Sequence, residues 1–417
     1  LAGRKSRHGL TRREFLRGAM AAAVGAASGL RALAASAPNK AALPELKRRV
    51  LGRTGLQVSQ LGMGTSISLN VAVVQRALDM GVNFFDTAEC YENGNAEIAL
   101  GEAFACRREE VIIATKWHTN GTRPADSLLA SLDGSLKRLN MEHVDLIQVH
   151  GAEKPEQVTS DELWEAFTRA REAGKARFNG VSLHDNHLEV ARAAIKTGRF
   201  NALLIPHNPL ISETVTPVLQ EAAQAGLGVI TMKALQPVHA APEPEALKGL
   251  CGNVYQRAIQ WALRSPHVSA VIVEMPTFEE LEEDVRAAST AASEPEVEEF
   301  EEAVASIAVG SCHLCGRCTR QCPAGVRVAE VMRYWLYHQG YGQHERAAAL
   351  YRRLPARESA ATCSTCQPLA RGESSAVGKC KAICPWGVPI RERMQQAHAL
   401  LAGERANQIV CDHRGSA

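Results

Sequence analysis

Eight short, β-branched apolar runs alternating with amphipathic stretches constrain this chain more than any other feature. The runs are Leu61–Met63, Asn83–Asp86, Val111–Thr115, Val144–Val149, Ala176–Ser182, Ala202–Ile205, Gly228–Met232 and Val268–Val273. Helical periodicity lies between them, as at 71–80, 125–139, 163–172 and 254–264. Parallel strands need helical crossovers, and eight strand–helix units in about 250 residues predict a (β/α)8 barrel. A doubly wound sheet has the same periodicity. However, no G-x-G-x-x-G or P-loop follows any strand, which argues against the usual nucleotide-binding sheets.

Polar residues gather where these strands end. Asp86 closes the second, Lys116 the third, His150 the fourth and Ser182 the fifth, and Tyr91 follows Asp86 in the loop. In a barrel those ends share one face, where catalytic groups are expected. A tyrosine with an ordinary pKa near ~10 is a weak acid at neutral pH, and a neighbouring ammonium lowers that value. A carboxylate can fix the lysine, and an imidazole can orient a carbonyl oxygen. Each residue alone is more often structural; four suitable types on successive strands point to catalysis.

The blocks Leu51-Gly52-Arg53-Thr54-Gly55-Leu56, Gly81-Val82-Asn83-Phe84-Phe85-Asp86-Thr87-Ala88-x-x-Tyr91, Ala114-Thr115-Lys116 and Asp145-Leu146-Ile147-Gln148-Val149-His150 resemble aldo-keto reductases. Gly180-Val181-Ser182 and Asn208-Pro209-Leu210 extend the likeness over about 250 residues. The resemblance implies a catalytic tetrad of Asp86, Tyr91, Lys116 and His150. It also implies transfer of a nicotinamide hydride to a small carbonyl, or from the corresponding alcohol, with Tyr91 handling the oxygen's proton. Ser182, Asn208 and Lys233 are its expected contacts to NAD(H) or NADP(H). Leu183, Leu204 and Met232 stand where many members carry Asn, Gln and Tyr. Glu274 and Glu280 replace cations that many members place on a 2′-phosphate, which they would repel. Trp117, beside Lys116, is expected either as a wall of the substrate site or as a support of the barrel.

Eight of the twelve cysteines lie between Cys312 and Cys384. Cys312-x2-Cys315-x2-Cys318-x3-Cys322-Pro323 has the spacing of a bacterial [4Fe–4S] ligand run, with a zinc site as the plainer alternative. Cys363-x2-Cys366-x13-Cys380-x3-Cys384-Pro385 repeats it with an eleven-residue insertion. Helical periodicity at 328–337 and 345–354 separates the two runs. This arrangement resembles the α-helical two-cluster ferredoxin domain fused to some aldo-keto reductases. In two-cluster ferredoxins the fourth cysteine serves the other cluster. The expected sets are therefore Cys312, Cys315, Cys318 with Cys384, and Cys363, Cys366, Cys380 with Cys322. Cys90, Cys106, Cys251 and Cys411 lack ligand spacing and are expected to be buried or incidental thiols.

Charge divides the chain in the same way. Residues 1–37 hold seven Lys/Arg and one Glu, residues 38–309 hold 25 against 37 acids, and residues 310–417 hold 15 against seven. The first segment has Arg12-Arg13-x-Phe15-Leu16, an apolar run of about a dozen residues and small residues to Ala37. It resembles a twin-arginine signal, implying export of a folded, cofactor-loaded protein to the periplasm. Three parts are thus expected: a signal at 1–37, a barrel at 38–309 and a cluster module at 310–417. Without the basic signal the remainder is near −4, which disfavours nucleic acid as a partner. No run beyond residue 40 reaches the ~18 apolar residues of a membrane helix. The expected function is an exported carbonyl–alcohol oxidoreductase with two clusters that serve a redox partner protein or stabilise the fold. The alternatives are an electron-carrier subunit with a catalytically silent barrel and a sugar- or polyol-binding barrel.

Overall fold

A computed structural model describes residues 45–118, 123–240, 253–366, 380 and 383–403. The signal-like segment, Cys251, Cys411 and the insertion around 370–375 lie outside the described residues. A small antiparallel pair, β1 (Arg48–Val50) and β2 (Gln57–Ser59), precedes eight parallel strands. These are β3 (Leu61–Gly64), β4 (Phe84–Asp86), β5 (Ile112–Trp117), β6 (Val144–His150), β7 (Ala176–Ser182), β8 (Ala202–Pro206), β9 (Gly228–Met232) and β10 (Ala270–Glu274). They close into one barrel in chain order, with β10 pairing back onto β3. The doubly wound alternative is thereby set aside.

Two apolar layers hold the barrel. Inside it, Phe84, Ile112, Leu146, Leu204, Ile230 and Ile272 pack together. Outside, side chains such as Phe85, Ile113, Ile147 and Val181 meet the surrounding helices. Trp117 belongs to this outer layer, 1% exposed and 5.2 Å from the Phe167 ring, so it supports the barrel and does not face the substrate side.

The Leu51–Leu56 block closes the barrel's base. Leu51 is fully buried, Arg53 N–H donates to the Gly226 carbonyl at 2.8 Å, and the Arg53 guanidinium donates to the Gly198 carbonyl at 3.0 Å. Gly52 has φ +48°, and a Cβ there would lie 2.2 Å from the Gly228 nitrogen. This motif is therefore a structural plug that leaves the opposite, C-terminal face of the strands for chemistry.

That face is roofed by the C-terminal module, a helical unit with its own core of Val331, Tyr334, Leu350, Met394 and Leu401. Helix Val328–Gln339 lies against the barrel's loop helix Gln236–Ala240. His239 Nδ1 pairs with the Gly340 carbonyl at 3.0 Å, and its ring stacks on Tyr341 at 4.1 Å. Arg327 pairs with Glu153, Arg333 lies 3.3 Å from Asp185, and Arg346 donates to Ser66 Oγ at 3.0 Å. At Gly340 an added Cβ would lie 2.4 Å from the His239 carbonyl oxygen and 2.9 Å from Leu336. Gly340→Ala should therefore destabilise the seam by about 1–3 kcal/mol through overpacking. Thermal denaturation checks this: a melting temperature equal to wild type would mean that the seam yields without cost.

Candidate active site

The tetrad assembles from three strand ends and one turn. Gly64, Asp86 and Ala114 are in register across β3, β4 and β5, Lys116 faces Gln148, and His150 faces Ser182. Strand side chains alternate, so Leu146, Gln148 and His150 of β6 point inward together. Tyr91 opens a short 3-10 turn, Tyr91–Gly94, in which Glu92 (φ 48°) and Asn93 (φ 58°) are left-handed. Such backbone strain is a common companion of functional side chains.

Lys116 is 1% exposed and pairs with Asp86. Its ammonium also donates to the Thr87 carbonyl at 2.7 Å and to the Tyr91 hydroxyl at 3.3 Å. Gln148 Nε2 donates to the other Asp86 oxygen at 2.9 Å, a support the sequence reading missed although the period-two pattern of β6 points it inward. Burial alone would lower the Lys116 pKa, but Asp86 and Tyr91 outweigh it and the lysine stays charged. Tyr91 departs from expectation. Burial raises its pKa by more than Lys116 lowers it, because the ammonium is already neutralised by Asp86. The phenol is therefore protonated at neutral pH. His150 is held well below its ordinary pKa by burial, then by His118 and Lys116, and is a neutral imidazole. It meets Tyr91 edge-on at 5.6 Å between ring centroids and stacks on His118 at 4.6 Å.

These groups open onto a cavity of about 320 Å³. Asp86, Tyr91, His150, Ser182, Leu204, Met232, Lys233, Glu274 and Glu280 line it, and the module contributes Leu314, Arg333, Tyr337, Tyr341 and Arg346. The Ser182 hydroxyl and the Lys233 ammonium are buried there without a hydrogen-bond partner among the described residues. Asn208 is not in the wall. Its side chain accepts from Leu210 N–H at 3.1 Å and donates to the Lys233 carbonyl at 3.0 Å, so it caps a turn and holds the backbone of Lys233.

Cys90 is disulfide-bonded, not the incidental thiol expected from spacing. Its sulfur lies 3.1 Å from His118 Nε2 and 3.7 Å from His150 Nδ1. Cys106 is exposed and free.

The module's cysteines fall into two neighbourhoods. Cys312, Cys315, Cys318 and Cys384 surround one small apolar recess with Trp386 and Met332. Burial, then repulsion from Cys322, Cys380 and Cys366, pushes the Cys363 thiol up to about 12. The geometry thus groups Cys384 with the first run and Cys322 with the second. The first neighbourhood adjoins the barrel cavity. Gln236 Nε2 donates to the Cys312 carbonyl at 3.3 Å, and Leu314, at φ 52°, forms part of the cavity wall.

Residues 57–239 match the aldo/keto reductase family model. The uncharacterized oxidoreductase YrpG of Bacillus subtilis (strain 168) is 29% identical over 293 residues, covering 57% of this chain and 89% of its own length. The L-galactose dehydrogenase of Arabidopsis thaliana is 27% identical over 284 residues, covering 59% of this chain and 89% of its own length. Among solved structures, the thermostable aldo-keto reductase Tm1743 in complex with the inhibitor epalrestat aligns with a TM-score of 0.53 at 26% identity, covering 61% of this chain and 99% of its own. By sequence and by fold together, the barrel of this chain is similar to those of aldo/keto reductases.

Proposed function

We propose that this chain is an oxidoreductase interconverting a small carbonyl and its alcohol with NAD(H) or NADP(H), exported by the twin-arginine route to the periplasm. We further infer that residues 310–417 carry two [4Fe–4S] clusters that pass electrons to a partner protein. The observation that carries the catalytic reading is the Tyr91 hydroxyl, 3.3 Å from a Lys116 ammonium fixed by Asp86, on the wall of one cavity with His150.

A carbonyl oxygen beside Tyr91 would take the phenolic proton, and the phenolate so formed would be stabilised by Lys116. His150, uncharged, orients that oxygen by a hydrogen bond without competing for the proton. Asp86, held by Gln148, keeps Lys116 in place. A nicotinamide fits the polar atoms present in part: the orphaned Ser182 hydroxyl would hold its carboxamide. That cofactor supplies or accepts the hydride. Leu183, Leu204 and Met232 leave the ring with fewer polar contacts, which favours the second reading, an electron carrier with a silent barrel. For the clusters, two sets of four sulfur donors fit the ligand demand of [4Fe–4S] centres.

Anaerobic titration with NADH, then NADPH, tests the reading. Bleaching of the visible iron–sulfur absorbance by either would show that nicotinamide electrons reach the clusters, the two electrons of a hydride entering one per cluster; none would leave the clusters unlinked to that cofactor, with a partner protein or a structural role as the better reading. The crossed sets predict that Cys315→Ser and Cys322→Ser each lose about half of the roughly eight iron atoms of two clusters, and that the double variant loses nearly all. A double variant that keeps one cluster overturns the crossed assignment.

A further inference from the structure

Besides Asp86, which Lys116 neutralises, two carboxylates and three cations line the cavity. Glu274 accepts from Ser66, which in turn accepts from Arg346, and Glu280 is engaged by Thr277. Lys233, at φ 61°, follows β9 with its carbonyl pinned by Asn208 and by Gln236 N–H at 3.1 Å. Its ammonium is buried and makes no hydrogen bond among the described residues. Two more cations come from the roof. Arg333 is 1% exposed and its Nη2 is ion-paired with Asp185 at 3.3 Å and Glu330 at 3.5 Å, while its buried Nε has no hydrogen-bond partner among the described residues. Arg346 donates to the Ser66 hydroxyl at 3.0 Å and to the Gln343 side-chain carbonyl at 2.9 Å, and its guanidinium lies 5.0 Å from the Tyr337 ring centre. Tyr337 lies among all three. Burial would raise its phenol, but Arg333, Lys233 and Arg346 together outweigh burial.

A buried cation without a partner is costly, and a ligand that brings the opposite charge removes the cost. We propose that Lys233, Arg333 and Arg346 form an oxyanion recess, so that the ligand of this cavity is an anion and the C-terminal module completes its binding site. The inference rests on the carbonyl–alcohol reading and adds the substrate class: a carbonyl compound bearing a nearby carboxylate, such as a 2-oxo acid. Placement favours this source: His150 and His184, whose rings are 6.2 Å apart, line the same cavity as Lys233, Arg333 and Arg346. The diphosphate of a nicotinamide cofactor has the same chemistry and is the other source.

Calorimetric titration of the full-length, cluster-loaded protein distinguishes them. Oxamate, an unreactive anion with an adjacent carbonyl, should bind at least tenfold tighter than neutral oxamide, with NADH present or absent. Lys233→Met should weaken oxamate at least tenfold, and Lys233→Arg should stay within about threefold of wild type. Lys233→Met should not lower the melting temperature, since it removes an uncompensated buried charge; a merely structural lysine would lower it. If inorganic pyrophosphate binds in a Lys233-dependent way, competes with NADH and oxamate does not bind, the recess stands and its anion is the cofactor's. If neither anion binds, or Lys233→Met binds as wild type does, the proposal is overturned. Tyr91→Phe should retain oxamate binding, so failure of the catalytic reading and failure of the recess give different results.

Discussion

Tyr91→Phe should lower turnover of any carbonyl substrate by about 10²–10⁴-fold, the usual contribution of a positioned general acid. The substitution removes one oxygen and keeps the ring, so the edge-on packing on His150 at 5.6 Å and the Lys116 ammonium 4.8 Å from the ring centre persist. The fall should lie in kcat, with KM nearly unchanged, because the proton is transferred only as the reaction proceeds. Cluster absorbance and melting temperature should match wild type. Steady-state kinetics of the two proteins side by side are the check, and equal turnover would favour the silent-barrel reading. Since burial raises the Tyr91 pKa, its proton is in place throughout the neutral range, and reduction should not decline until the pH is well into the alkaline range.

Lys116→Met should cost about 3–5 kcal/mol of stability, because it leaves the Asp86 carboxylate buried with Gln148 and no cation. The denaturant midpoint should fall accordingly. Adding Asp86→Asn should recover much of the loss, since the charge requiring compensation is then gone. A single variant with the wild-type midpoint would mean that water reaches Asp86 and the pair is not desolvated. Activity should be lost in both variants, which separates the stabilising role of the pair from its role in positioning Tyr91.

The barrel was legible because most of its strands are buried on both faces. Runs such as Ala176–Ser182 and Gly228–Met232 coincide with β7 and β9, and the other strand ends move by one or two residues. The tetrad was legible for the same reason, as polar residues that interrupt apolar runs at strand ends. Motif likeness misled where the motif is architectural. Asn208 stands in a recognisable block, yet its amide is spent on a turn and on the Lys233 carbonyl. The residue beside Lys116 is inevitably on the other face of the strand, which places Trp117 in the outer core. The roof was not legible. Helical periodicity marks a buried face at 328–337 without saying what covers it, so Arg333, Tyr337 and Arg346 could not be assigned to the cavity from sequence.

The shared cavity also bears on how this chain folds. Its floor comes from residues between Gly64 and Glu280, and its roof from residues between Leu314 and Leu350. Contacts such as Arg346 to Ser66 close a loop of 280 residues, and long closures form late because their entropy is lost before their contacts form. The barrel and the module can each collapse around their own core, but the ligand site exists only once they dock. Completion of the pocket therefore marks the end of folding, and ligand binding reports directly on whether both halves have matured.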